Sequence, residues 1–190
     1  MKLLGFVTAL GAAAALSTTD AAVLQAQNPN PWAWRGTVAA GRTLEIRGVM
    51  GTIRAEPASG REIEVTATKH AEESDINAVR IEVVQHEGDV TICAVYPGNG
   101  NSCEPGGGEN HMRGHNDVHV DFTVRVPAGV NFHGAAVSGD VSATGLTGTV
   151  ELSSVSGSVS GTALTGRADL NSVSGDVVLE TASGEAAAAA

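Results

Sequence analysis

The sequence predicts an all-β protein built as a single parallel β-solenoid, and three observations carry this prediction. Glycine recurs at every ninth position, at 139, 148, 157, 166, 175 and 184. Between these glycines the second and seventh residues are apolar, and the fourth is usually apolar or small. The chain has 24 glycines and many Val, Thr and Ser residues, a composition typical of strands joined by tight turns.

The seventh position after each glycine sets the length of the repeat. It alternates between Val at 137, 155 and 173 and Leu at 146 and 164, so the true unit is a pair of unequal nonapeptides. Alternation at positions two and four predicts a short strand with one face inward, and the following Ser-Gly or Thr-Gly pair predicts a turn. Two strands and two corners describe one eighteen-residue solenoid coil, and coils would stack about 4.8 Å apart. On this prediction the three valines are buried and stack directly on one another.

The domain is predicted to extend over residues 27–184. Residues 44–51 match residues 150–157 at every apolar and glycine position, so the repeat starts early in the chain. Trp32 and Trp34 precede it and are predicted to cover the apolar end of the first coil, with a carbohydrate-stacking role as the alternative. Residues 185–190 form a low-complexity alanine tail, for which truncation of a longer chain is one interpretation.

Residues 69–117 interrupt the repeat. Two alternating segments, 79–84 and 90–96, predict a β-hairpin that turns at Gly88-Asp89. A long glycine-rich loop follows, and alternation resumes over residues 118–127. We therefore predict an inserted hairpin plus loop within one solenoid.

The first residues predict export. Residues 1–26 have a positive Lys2, an alanine-rich apolar stretch and small residues before a cleavage site after Ala26 or Ala21, as in a signal peptide. That stretch is shorter than the roughly 20 residues that span a bilayer. No later segment is apolar enough, so we expect no membrane-spanning segment in the mature chain. The predicted location is the periplasm, the cell surface or the extracellular space.

Charge excludes some partners. The chain has 11 Lys and Arg against 21 Asp and Glu, a formal net charge of -10 at pH 7. An acidic surface repels phosphate backbones and anionic lipid heads, so nucleic acid is not an expected partner.

Cys93 and Cys103 are the only two cysteines. An even pair in an exported protein predicts a disulfide, which would tie the glycine-rich loop to the preceding strand. Closing so short a loop stabilises by about 3 kcal/mol in the chain-entropy model. A thiol metal site with the nearby histidines is the alternative.

Several stretches resemble a known family. Residues 34–69, the strand segment "ICAVYP", and "VDFTVRVPAGVNF" leading into "VSGDV" repeats resemble the bacterial β-strand-repeat proteins of unknown function labelled "putative adhesins". The resemblance covers about residues 32–184, and its most specific parts are "GTIRA", "EVTATK" and "VPAG". It implies an exported or surface-located β-solenoid without established catalytic residues.

The third position of each coil points outward and predicts a ladder of His133, Glu151 and Asp169, about 4.8 Å apart. Glycosidases pair carboxylates at comparable distances, so this ladder is the candidate site for an enzyme. The alternative is a solvated face in which Arg167 and His133 offset the acids, and no aromatic platform for a sugar accompanies it.

Two patterns in the sequence could bind a metal ion, but each has a simpler explanation. His111, His115 and His119 lie four apart, but the strand pattern around them breaks the helical alignment that this spacing needs. Asp140 and Asp176 follow Ser-Gly corners, where an aspartate ordinarily bonds its own backbone. We therefore expect no metal and no cofactor.

The sequence thus predicts an exported cell-envelope or secreted binding or structural module, adhesin-like and not an enzyme. Its partner would be an envelope or extracellular protein or glycan, and exposed solenoid ends would also allow self-association. The alternative function is an extracellular carbohydrate-active or metal-dependent enzyme on a β-helix scaffold.

Overall fold

The computed structural model describes residues 31–107, 115–181 and 184–190, so the predicted signal peptide lies outside the described residues. Fourteen strands occur in these ranges. In chain order they are β1 (Trp32–Gly36), β2 (Thr43–Arg47), β3 (Ile53–Pro57), β4 (Ile63–His70), β5 (Arg80–His86), β6 (Asp89–Val95), β7 (His119–Val126), β8 (Asn131–Ser138), β9 (Val141–Thr144), β10 (Val150–Ser156), β11 (Val159–Leu164), β12 (Ala168–Ser174), β13 (Val177–Thr181) and β14 (Ala186–Ala189). One short 3-10 helix, Ile76–Ala78, follows β4. No helix in the described ranges is long and apolar enough to cross a membrane.

The strands form two seven-stranded sheets. Sheet 1 has the order β1-β4-β7-β3-β9-β11-β13, and sheet 2 has the order β14-β12-β10-β8-β2-β6-β5. Both sheets are mixed: β1, β4 and β7 pair antiparallel, as do β5 and β6, whereas the remaining neighbours pair parallel. The protein is therefore all-β, as predicted, but its sheets are not the purely parallel sheets of the predicted solenoid.

The parallel pairs have the spacing of the sequence repeat. In sheet 2, Val150 of β10 lies opposite Phe132 of β8 and Ala168 of β12. In sheet 1, Val159 of β11 lies opposite Val141 and Val177. Each partner is one full coil away along the chain. One half of each repeat therefore adds a strand to sheet 2, and the other half adds a strand to sheet 1.

The hydrophobic core lies between the sheets. Its large buried side chains come from strands of both sheets and include Leu44, Ile46, Phe132, Leu152 and Leu170 from sheet 2, and Ile53, Ile63 and Phe122 from sheet 1. Trp32 and Trp34, on the edge strand β1, are partly buried and pack against this core. The tryptophans thus cover apolar surface at one end of sheet 1.

The prediction that Val137, Val155 and Val173 are buried is wrong. Their exposed fractions are 45%, 49% and 75%, whereas the preceding Ser154 is only 4% exposed. Strands β8, β10 and β12 continue straight to the corner, so strict alternation turns the residue before each valine inward. The Ser154 hydroxyl then donates to the carbonyl of Gly139 at 2.9 Å, which satisfies a polar group at the corner.

The other half of the repeat turns its apolar residue inward through a change of backbone conformation. Leu146 and Leu164 are buried, and each follows a residue with positive φ: Gly145 at 68° and Ala163 at 54°. The register of β11 shifts at this point, which adds one residue and reverses the alternation. The observed Val and Leu alternation therefore separates an outward position from an inward one.

The predicted hairpin is formed by β5 and β6. Its turn residues are Glu87 and Gly88, both with positive φ, and not the predicted Gly88 and Asp89, because Asp89 already pairs with His86 across the turn. Strand β6 then pairs parallel with β2, so this hairpin extends sheet 2.

Two columns of glycines allow neighbouring units to approach closely. A Cβ atom on Gly157 would lie 2.3 Å from the carbonyl oxygen of Gly139, and one on Gly175 would lie 2.3 Å from that of Gly157. At the other corner, a Cβ atom on Gly166 would lie 2.2 Å from the carbonyl oxygen of Gly148. Side chains at these corners would force the stacked backbones apart.

Candidate functional site

The outward side chains of sheet 2 form parallel ladders. The predicted ladder of His133, Glu151 and Asp169 is present, because Glu151 lies opposite His133 on one side and Asp169 on the other. It continues beyond His133 to Glu45 on β2 and Thr91 on β6. Five neighbouring strands therefore contribute polar side chains to one row.

A surface pocket with a volume of about 340 Å³ lies over this row. It is bounded by the β5-β6 turn, the loop after β6 and the starts of β2, β8 and β10. Its lining residues are Thr43, Glu45, His86, Asp89, Val90, Thr91, Gly106, Asn131, Phe132, His133, Thr149 and Glu151. Asp169, on the far side of Glu151, is not among them.

Glu45 is the buried charge of this pocket, with an exposed fraction of 5%. Its Oε1 lies 3.0 Å from Arg47 Nη1, a donor, and 3.5 Å from Nδ1 of His133. Its Oε2 accepts from the Thr91 hydroxyl at 2.9 Å and from the Gly106 N–H at 3.0 Å. One carboxylate thus connects strands β2, β6 and β8 with the loop after β6.

The surroundings of Glu45 keep it ionised. Burial raises the pKa of the carboxyl, but the Gly106 N–H, the Arg47 guanidinium, the Thr91 hydroxyl and the charge of His133 together hold that pKa below its usual value. At neutral pH Glu45 is therefore an acceptor with its oxygens occupied. It fixes the pocket and does not donate a proton there.

The loop that supplies Gly106 is held by the predicted disulfide. Cys93, on β6, and Cys103 are joined with an S–S distance of 2.00 Å and a Cα–Cα distance of 5.6 Å. Both cysteines are buried in a small cluster with Val95, against which Val84 packs. The disulfide therefore anchors the wall of the pocket to the strand that supplies its floor.

The polar groups around Glu45 are organised by backbone contacts. Asp89 accepts from the Thr43 N–H at 2.8 Å through Oδ1, and Asn131 accepts from the Thr149 N–H at 3.0 Å. Glu151 is exposed at the rim. Carboxylates, hydroxyls, an amide and imidazoles thus surround an opening suited to a polar ligand with hydrogen-bond donors.

Two of the histidines considered as metal ligands make other contacts. His119 stacks on His70 with ring centroids 5.2 Å apart, and His115 lies 3.6 Å from Glu73, whereas His111 lies outside the described residues. Among residues 31–107, 115–181 and 184–190, no group of three His, Cys, Asp or Glu residues could hold a metal ion. Asp140 does not bond its own backbone as predicted; it accepts from the N–H of Ser158, 18 residues ahead.

Glu45 is the site residue that the sequence analysis did not single out. Its signal was available, because the match of residues 44–51 to residues 150–157 places Glu45 at the position of Glu151. The contacts of Thr91 and Gly106 had no such signal, since they depend on how the hairpin and the disulfide-tied loop fold onto β2.

Comparisons with known proteins show only remote likeness. No family model and no curated protein matches this chain. Similar solved structures include a "putative cell adhesion protein" from Clostridium sporogenes, 10% identical over 84% of this chain and 99% of that chain, with a TM-score of 0.34. Another is a "putative adhesin" from Parabacteroides distasonis, 16% identical over 85% of this chain and 71% of that chain, with a TM-score of 0.32. A third, from Bacteroides fragilis, is 10% identical over 86% of this chain and 99% of that chain, with a TM-score of 0.25.

Proposed function

We propose that this chain is an exported β-solenoid module that binds an external protein or glycan at the pocket around Glu45, without catalysing a reaction on it. The observation that carries the proposal is the buried Glu45 carboxylate, which four neighbouring groups hold at the base of a concave, polar opening. A buried charge is costly unless it is paired, so a fold that keeps one here preserves a defined polar surface.

The solenoid description is supported by the parallel pairs that recur once per coil in both sheets. Export is supported by the signal-like residues 1–26 and by the disulfide, because disulfides persist in oxidising compartments.

A binding role fits the chemistry of the pocket better than hydrolysis. Glycoside hydrolysis requires one carboxyl group that is protonated at working pH, and the lowered pKa of Glu45 works against that role. Asp169 lies outside the pocket, so the predicted ladder does not bring its two acids to one opening. The carboxylates and hydroxyls of the lining suit a ligand that carries hydroxyl or ammonium groups.

Retention of envelope glycans and proteins on the immobilised, disulfide-intact chain tests this proposal. We expect Glu151→Gln to reduce retention of the bound component, because Glu151 lies at the pocket rim. The matched control is Glu180→Gln on β13, another exposed carboxylate in the other sheet, which should retain it fully. Equal retention by both variants would refute binding at the pocket. Turnover of a retained glycan would support the alternative, a carbohydrate-active enzyme.

A further inference from the structure

A row of exposed valines runs along the outer face of sheet 2. Val137, Val155 and Val173 occupy equivalent positions on β8, β10 and β12, between the paired residues Ser154–Ser172 and Ser156–Ser174. They are 45%, 49% and 75% exposed. Adjacent strands lie about 4.8 Å apart, so the three side chains form a continuous apolar row about 10 Å long.

A second row on the same strands is acidic. Glu151 and Asp169 lie four residues before Val155 and Val173, and both point to the same outer face. Four residues of strand span about 13 Å, so the acidic and apolar rows run parallel at that separation. The row between them consists of Ala135, Ser153 and Asn171, which form the floor between the two rows.

From these dimensions we infer that the face is a docking track for a basic amphipathic helix of a partner protein, lying across the strands. This inference rests on the proposed binding role of sheet 2 and names the partner. A helix with side chains is about 10–12 Å wide, which fits the floor between the two rows. Its positions i, i+4 and i+7 rise by about 6 and 10.5 Å, close to the spacing of the three valines.

Charge complementarity selects a basic helix. The partner's apolar positions would pack on the valine row, and its Lys or Arg residues on one flank would reach Glu151 and Asp169. The formal net charge of -10 attracts a cationic partner and opposes association of two copies of this chain. Arg47, which continues the row of Ala135 onto β2, is paired with Glu45, and His133, at the pocket end of the acidic row, lies 3.5 Å from the same carboxylate.

The probe is a synthetic peptide of five helical turns, made of leucine and lysine with the two residue types on separate helix faces. A peptide of the same composition in scrambled order is its control. We expect Val155→Thr with Val173→Thr to weaken binding about tenfold or more, because two anchors lose apolar contact. Glu151→Gln with Asp169→Asn should weaken binding and reduce its dependence on salt. The matched control, Val178→Thr on β13 of the other sheet, replaces a valine that is 50% exposed and should bind normally.

Three outcomes would overturn the inference. The first is equal binding of the scrambled peptide, or an equal loss with Val178→Thr. The second is a dimer, measured by light scattering, that the two threonine substitutions disrupt, because the valine row would then bind a second copy. The third is sedimentation with anionic vesicles that the same substitutions abolish. Unchanged melting curves of the variants show that the fold is intact. If only the retention test on Glu151 succeeds, the binding pocket stands and the helix track does not.

Discussion

Replacing Glu45 with glutamine tests whether one buried carboxylate holds the pocket together. Glutamine has the same length, but its amide nitrogen cannot accept a hydrogen bond, so one pair of donors loses its acceptor. In the parent protein, Oε1 of Glu45 contacts Arg47 and His133, and Oε2 accepts from Thr91 and Gly106. Either orientation of the glutamine amide therefore leaves two of these partners without an acceptor.

The expected loss of stability follows from these contacts. Each buried donor left without an acceptor costs about 1–3 kcal/mol, and the Arg47 guanidinium also loses its counter-charge. The Arg47 side chain is 26% exposed, so water replaces part of the lost interaction. We expect Glu45→Gln to lower the free energy of unfolding by about 3 kcal/mol, or the melting temperature by about 6–12 °C.

The pH dependence of this difference provides a second check. Because the pKa of Glu45 is lowered by folding, its contribution is fully present above the ordinary glutamate value of 4.5 and is lost as the pH falls through the folded-state value. The melting temperatures of the two proteins should therefore differ at pH 7, and this difference should be smaller at pH 3. Glu151→Gln, at the exposed rim, is the matched control and should melt like the parent at both. A parent-like melt of Glu45→Gln at pH 7, or a gap that widens in acid, would refute the reasoning.

Three further predictions concern the repeat and the loop. Val155→Asp should leave the circular dichroism melt nearly unchanged, whereas Leu164→Asp should unfold the protein, since an unpaired buried charge costs several kcal/mol. Similar melts of the two variants would contradict the outward orientation of Val155 and the inward orientation of Leu164. Gly157→Ala should lower the urea midpoint, because its Cβ would lie 2.3 Å from a carbonyl oxygen, while Gly60→Ala has nothing within 4 Å and should be tolerated. Replacing both cysteines by serine should lower the free energy of unfolding by about 2–3 kcal/mol and speed amide hydrogen exchange in the tied loop. Unchanged exchange would show that the disulfide does not hold this wall of the pocket in place.

The sequence pattern was sufficient for the register of the parallel strands β8, β10 and β12. A period of two nonapeptides places Glu151 beside His133 and Asp169 whatever the details of the corners, because register depends only on spacing. The hairpin was equally accessible, since alternating segments flank a turn that contains Gly88.

The orientation of the seventh position could not be read from hydrophobicity. Val155 and Leu164 are both apolar, and the direction of each depends on whether a residue with positive φ precedes it. Gly145 offers a signal for such a residue, but Ala163 does not, because alanine rarely adopts that conformation. The hydrophobic pattern therefore predicted the period of the repeat, but it did not predict which apolar residue of each coil points into the core at the seventh position.

The pocket was predictable only in part. Repeat alignment places Glu45 on the same row as Glu151, and the disulfide follows from the two cysteines. The contact of Gly106 with Glu45 joins residues 61 positions apart through an irregular loop, and no periodicity reports such a contact. That contact also helps to hold the pKa of Glu45 below its usual value, against the opposing effect of burial.

The glycine columns also constrain how the length of this protein can change during evolution. Removing residues 140–157 would join Gly139 to Ser158 and leave each remaining corner glycine above another glycine. Removing a single nonapeptide would instead place a strand of one sheet where a strand of the other sheet belongs. A buried serine such as Ser154 would then lie where a buried leucine such as Leu164 is needed, and the reverse. We therefore expect insertions and deletions in steps of one whole coil, and each step would add or remove one valine and one third-position side chain on the outer face of sheet 2. The area of that face, and with it the length of partner that it accommodates, varies by the same increment.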